Sequence, residues 1–130
     1  MPFMYDKELV IDILENIGWS INQIAKRFQT IGSVDDFIKD DNGLEKLDSI
    51  CMQLINIGEA LKQVDKVTDG KLLINYPDID WKKAKGMRDI ITHHYFDIDA
   101  ETVFAVCSKH IPEMERIIGK ILSDLRKQAE

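Results

Sequence analysis

Apolar residues recur along this chain at alternating steps of four and three, in several long stretches rather than one. Between about Asp6 and Thr30 the series is Val10, Leu14, Ile17, Ile21, Ile24, Phe28 and Ile31, a mean spacing of about 3.5 residues that puts every member on one side of an α-helix. From about Leu44 to Lys66, Leu47, Ile50, Cys51, Leu54, Ile57, Gly58, Leu61 and Val64 make a wider face of the same kind. A helix patterned in this way gains its stability by covering the stripe, so each stretch predicts helical partners.

The interruptions divide the chain. After Gly32, residues 33–42 are polar, with Ser33 placed to cap a short extra turn of helix and Asp40-Asp41-Asn42-Gly43 marking a break or a new helix start. Asp69-Gly70 closes the second long helix, and residues 71–80, which contain Tyr76-Pro77, read as an irregular crossing because no strand elsewhere would pair with them. A third helix is expected after Asp78 or Asp80, running through Trp81, Ala84, Met87, Ile90 and Ile91 toward Tyr95. Asp99 announces the last helix as N-cap, with Ile98 and Val103 spaced as a hydrophobic staple. Its stripe is Val103, Val106, Cys107, Ile111, Met114, Ile117, Ile118, Ile121, Leu122 and Leu125, and Pro112 predicts a kink through the loss of one backbone hydrogen bond. Gly58 predicts a close contact between helices, whereas Gly18 lies off the first stripe. The expected fold is all-α: one domain over residues 1–130, an up-and-down four-helix bundle with a short extra helix and a kinked C-terminal helix.

Composition narrows the function. At 130 residues, with 45% apolar and 31% charged side chains, the chain is long enough for one buried core and too balanced for disorder. No apolar run reaches the roughly 18 residues a membrane span needs, and Met1-Pro2-Phe3-Met4-Tyr5-Asp6 lacks a basic-then-apolar leader, so a cytoplasmic protein with no membrane partner is expected. Cys51 and Cys107 lack metal-site spacing and fall within apolar stretches, which predicts buried free thiols and no metal. The net charge of −6 repels polyanions on average, yet residues 82–95 carry Lys82, Lys83, Lys85 and Arg88 against Asp89 alone. A polyanion such as RNA would be focused on those lysines; taken alone, they suit a solvated helix face equally well.

That basic stretch runs Arg88-Asp89-Ile90-Ile91-Thr92-His93-His94-Tyr95. At about 100° per residue, Arg88 and Tyr95 share a stripe with Trp81, Ala84 and Thr92 that should be buried. An arginine there snorkels, pairs with a carboxylate such as Glu59, or points into a cleft. His93 lies about 140° around the helix from Arg88, so one ligand meets both only if the helix unwinds near His93 or a second copy of the chain completes the site. The two side chains suit phosphodiester cleavage without metal or cofactor. Histidine moves protons near neutral pH, arginine braces a phosphate as its charge builds, and a ribose 2′-hydroxyl can serve as nucleophile.

Arg88, His93 and Tyr95 together resemble the Arg-x4-His-x-Tyr motif of HepT toxins in the HEPN superfamily. Ile57-Gly58-Glu59-Ala60 resembles the family's Ile-Gly-Glu-Ala, Trp81 and Gly86-Met87-Arg88 resemble its Trp-to-Gly-x-Arg approach, and Ile111-Pro112 falls where its last helix carries a proline. The resemblance covers most of the chain from Asp12 onward. It implies a homodimer whose motifs face each other across a cleft, acting as a metal-independent endoribonuclease with His93 as the proton-transfer residue and Arg88 on the scissile phosphate. It also implies a nucleotidyltransferase antitoxin of the MNT type as partner, which transfers AMP from ATP to Tyr95 and silences the nuclease. Adenylylation there would occupy the cation and obstruct RNA together.

Asp89 departs from the family, which often has Asn at that place; a carboxylate can orient a histidine and, when ionised, repels phosphate. Asp89 and Tyr95 are therefore possible supporting residues. Glu59 reads as a cap or the partner of a cation, His94 and His110 carry no assigned chemistry, and Trp81 and Tyr76 read as packing and loop anchors rather than base-stacking platforms. Two competing readings are a non-catalytic nucleotide-binding or substrate-positioning subunit of a nucleotidyltransferase, and a purely structural dimeric bundle.

Overall fold

The computed structural model describes residues 5–93 and 99–128. The described residues form helices α1 (Lys7–Phe28), α2 (Asp35–Ile38), α3 (Asp41–Thr68), α4 (Trp81–His93), α5 (Ala100–Ala105) and α6 (Ile111–Lys127), with no strand among them. The protein is all-α. Among the described residues no helix is long and apolar enough to cross a membrane.

Helix starts follow the aspartates. Asp6 accepts a hydrogen bond from the backbone N–H of Leu9, Asp40 from Gly43, Asp80 from Lys83 and Asp99 from Glu101, each satisfying an amide that the first turn leaves unpaired. The short helix α2 is the exception to what the sequence suggests. Ser33 does not cap it; the Asp36 side chain instead reaches back to the amides of Gly32 and Ser33 at 2.7 and 3.2 Å, and pairs with Lys39. Those two amides precede α2, so the carboxylate closes the turn that leads into the helix, while the amides of Asp36 and Phe37 bond to the carbonyls of Ser33 and Val34. Helix α3 starts three residues earlier than the apolar pattern alone marks and ends on Asp69 and Gly70, both left-handed at φ 54° and 69°.

The stripes become the core. Val10, Leu14, Ile17, Ile21 and Ile24 of α1 are buried against Leu47, Ile50, Leu54, Leu61 and Val64 of α3 and Met114, Ile117, Ile121 and Leu125 of α6. Burying one such side chain contributes about 1.5–3 kcal/mol. Phe28, the only member of the first stripe left half-buried, meets Phe104 edge-on at 5.2 Å and Phe37 at 6.2 Å, so three rings tie the end of α1 to α2 and α5. Helix α3, about 42 Å long, is the spine of the fold, with α1, α2, α4 and α5 against it.

Pro112 does not produce the simple kink expected of it. The backbone widens into a π-helical turn over Val106–His110, where the N–H of Ile111 bonds to the carbonyl of Val106, and Pro112 lies in the first turn of α6, where its missing N–H costs nothing. Both cysteines are free and buried, as expected. Burial pushes the Cys51 thiol up to about 11, with the Asp48 charge adding to it, and Cys107 up to about 12. The expected staple between Ile98 and Val103 involves a residue outside the described set.

Residues 71–80 cross irregularly, as expected, with one 3₁₀ turn at Leu73–Asn75. Two hydrogen bonds hold the crossing. The Tyr76 hydroxyl donates to Asp124 on α6 at 2.7 Å, and the Trp81 indole N–H donates to the Tyr76 carbonyl at 2.8 Å. Both aromatic residues are thus loop anchors. Burial, together with the Asp124 carboxylate, moves the Tyr76 phenol far above its usual range.

Candidate active site at the seam of α3 and α4

Helix α4 packs against the second half of α3, and glycine sets the distance. A Cβ on Gly58 would lie 3.0 Å from the Cβ of Arg88 and 3.3 Å from the carbonyl oxygen of Lys85. The backbones approach at this crossing because position 58 has no side chain. The expected close contact is therefore present, and its opposite member is Arg88 itself.

Along the solvent edge of the seam the charges alternate. Glu59, Lys62 and Asp65, one turn apart on α3, face Arg88, Asp89 and Lys85 on α4. The Nε of Arg88 is 2.9 Å from Glu59 Oε1, and its Nη1 donates to Asp89 Oδ1 at 3.0 Å. Lys62 lies 3.7 Å from Asp89 and 3.9 Å from Glu59, bridging both carboxylates. Lys85 pairs with Asp65. The Arg88 side chain is 37% exposed and the carboxylates about half exposed, and pairs this open are worth about 0–1 kcal/mol each. Stability is a poor reason for the arrangement. What it fixes is where the guanidinium points.

The expected stripe shifts in one respect. Trp81 is buried and Ala84 and Arg88 half-buried, but Thr92 is exposed and Ile91, at 2%, takes its place. The Arg88 line runs along the edge of the helix contact and the centre passes through Ile91. Of the three lysines expected to meet RNA, Lys82 and Lys83 are exposed with no ion pair among the described residues, while Lys85 is held by Asp65.

Helix α4 is helical through His93, so no unwinding brings His93 round to Arg88 within residues 81–93. The two stay about 140° apart on one rod. The His93 side chain, His94 and Tyr95 lie outside the described residues. His110 belongs to the π-helical turn, exposed, on the rim of a separate cavity of about 340 Å³ between α4 and α6. That cavity is floored by Leu54 and Ile57 and walled by Met87, Val106, Ile111 and Met114. A closed four-helix ring would fill it, and nothing in the periodicity of the sequence announces the gap.

The family model of the HepT-like ribonucleases matches residues 17–121. Over 130 residues, all of this chain and 98% of the relative, the sequence is 32% identical to "Putative RNase MJ1216" of Methanocaldococcus jannaschii. It is 31% identical to "Putative RNase TTE0752" of Caldanaerobacter subterraneus subsp. tengcongensis over 109 residues, 84% of this chain and 90% of the other. With "Probable ribonuclease HepT" of Thermococcus cleftensis it shares 30% identity over 110 residues, 85% of this chain and 93% of the other. No solved structure matches the chain. An all-helical chain with an arginine clasped at its α3–α4 seam, matched by this model over most of its length, belongs to the HepT-like ribonuclease family.

Proposed function

We propose that this chain is the endoribonuclease of a HepT/MNT-type toxin–antitoxin pair, cutting RNA without metal at a site assembled where two copies meet. The observation that carries the reading is the placement of Arg88: clasped by Glu59, half-exposed, midway along a basic helix whose Lys82 and Lys83 face solvent. Two carboxylate contacts do not exhaust the five N–H donors of a guanidinium, and those that remain are suited to a phosphate. His93 accepts the proton of the ribose 2′-hydroxyl as its oxygen attacks phosphorus, the bond to the 5′-oxygen breaks, and Arg88 bears the charge that builds on the phosphoryl oxygens. The helical backbone through His93 supports a second copy as the source of the missing partner, and Ile90, an apolar side chain 56% exposed two residues from Arg88, favours such an association.

Silencing follows from the same chemistry. A nucleotidyltransferase that joins AMP to the Tyr95 hydroxyl, releasing pyrophosphate from ATP, would bring an anion close to Arg88 and into the path of RNA. The test of the nuclease is RNA cleavage in excess EDTA: cleavage persists with the unaltered chain and is lost in Arg88→Ala and in His93→Ala. Activity that EDTA abolishes, or that survives His93→Ala, overturns the reading. Co-expression with the nucleotidyltransferase followed by mass spectrometry tests the modification, the expected product being an AMP adduct on Tyr95.

The alternative reading is a non-catalytic nucleotide-binding or substrate-positioning subunit, in which the donors left on Arg88 hold a nucleotide phosphate that is not cleaved. It predicts ATP or AMP affinity that depends on Arg88, with no loss of RNA over time.

A further inference from the structure

We infer that Glu59 is a positioning residue for the cleavage reaction, holding the Arg88 guanidinium in the orientation in which it meets the scissile phosphate; this rests on the ribonuclease reading above. Arg88 has two carboxylate partners, and they are not equivalent. Asp89 is its neighbour on the same helix and is tied to α3 through Lys62 rather than by holding Arg88 to α3 itself. Glu59 sits on α3 and reaches across the seam to Nε. The Gly58–Arg88 crossing, so close that a Cβ on Gly58 would lie 3.0 Å from the arginine Cβ, brings the base of the arginine against α3, and the next residue along α3 then takes hold of its far end. Adjacent residues thus fix both ends of one side chain.

A carboxylate beside the phosphate-binding cation would repel RNA if it stood alone. Lys62, one turn along α3 and close to both Glu59 and Asp89, offsets that charge, so that the four side chains sum to zero. The clasp therefore orients Arg88 without making the site anionic. Orientation of this kind acts on the transition state more than on ground-state binding.

The test is steady-state RNA cleavage in EDTA by the unaltered chain, Glu59→Ala and Glu59→Gln, with thermal unfolding of all three. Glu59→Ala is expected to lower kcat about tenfold with KM unchanged or lower, since an anion has been removed, and with an unaltered melting temperature. Glu59→Gln, which keeps an oxygen facing Nε, is expected to recover most of that loss. An unchanged kcat in Glu59→Ala overturns the inference, as does a loss expressed only in KM or no recovery by Gln, and the ribonuclease reading survives each of these results. An unaltered chain that cleaves nothing overturns the ribonuclease reading and this inference with it.

Discussion

Gly58 and Arg88 touch backbone to side chain: a methyl group on Gly58 would sit 3.0 Å from the Arg88 Cβ and 3.3 Å from the Lys85 carbonyl. Gly58→Ala gains about 1 kcal/mol of helix propensity but must push α4 outward against an overpacking cost of about 1–3 kcal/mol. The expected net loss is about 1 kcal/mol by urea denaturation. RNA cleavage per folded molecule should fall by more than that loss of stability explains, because the shift displaces Arg88 from Glu59.

The core makes a stronger demand. Leu14 and Ile121 are fully buried in facing helices, so Leu14→Ala and Ile121→Ala should each cost about 2–5 kcal/mol. Chemical denaturation measures this directly. By contrast, removing the exposed Glu15–Arg126 pair at 2.8 Å should change stability by less than about 1 kcal/mol.

Alkaline pH should weaken the fold. The thiols of Cys51 and Cys107 ordinarily ionise at 9.0 and are raised by burial to about 11 and about 12. Above pH 9 the unfolded chain releases protons that the folded chain retains, so stability falls as pH rises from 9 through about 12. The melting temperature of Cys107→Ala, measured over the same range, should decline less steeply than that of the unaltered chain. Near neutral pH both thiols should react with thiol reagents only on unfolding.

The crossing before α4 should depend on one hydrogen bond. Tyr76→Phe removes the donor to Asp124 and should cost about 1–2 kcal/mol. Hydrogen exchange should then quicken at residues 71–80 ahead of the core.

Much of this was legible in the residues. The apolar stripes of α1, α3 and α6 are local patterns that burial enforces, and the aspartates at 6, 40, 80 and 99 each begin a helix because an unpaired amide needs an acceptor close in sequence. The pairing of Arg88 with Glu59 was among the alternatives the sequence left open, and the Gly58 contact was expected outright. What stayed hidden was set by tertiary competition. Asp36 reaches back to the Gly32 and Ser33 amides while α2 has no side-chain cap, and a π-helical turn over Val106–His110 takes the place of the kink expected at Pro112. Thr92 yields to Ile91 because the helices meet off the line that periodicity draws. The alternating edge of Glu59, Lys62 and Asp65 gains meaning only when Arg88, Asp89 and Lys85 lie opposite.

In the proposed site, Arg88 of one copy and His93 of another act on the same phosphate. Arg88→Ala and His93→Ala, each inactive alone, should regain RNA cleavage when co-expressed and purified as a mixed pair, since one of the two composite sites then holds both residues. A mixed pair as inactive as its parents, beside an unaltered chain that cleaves, would contradict it.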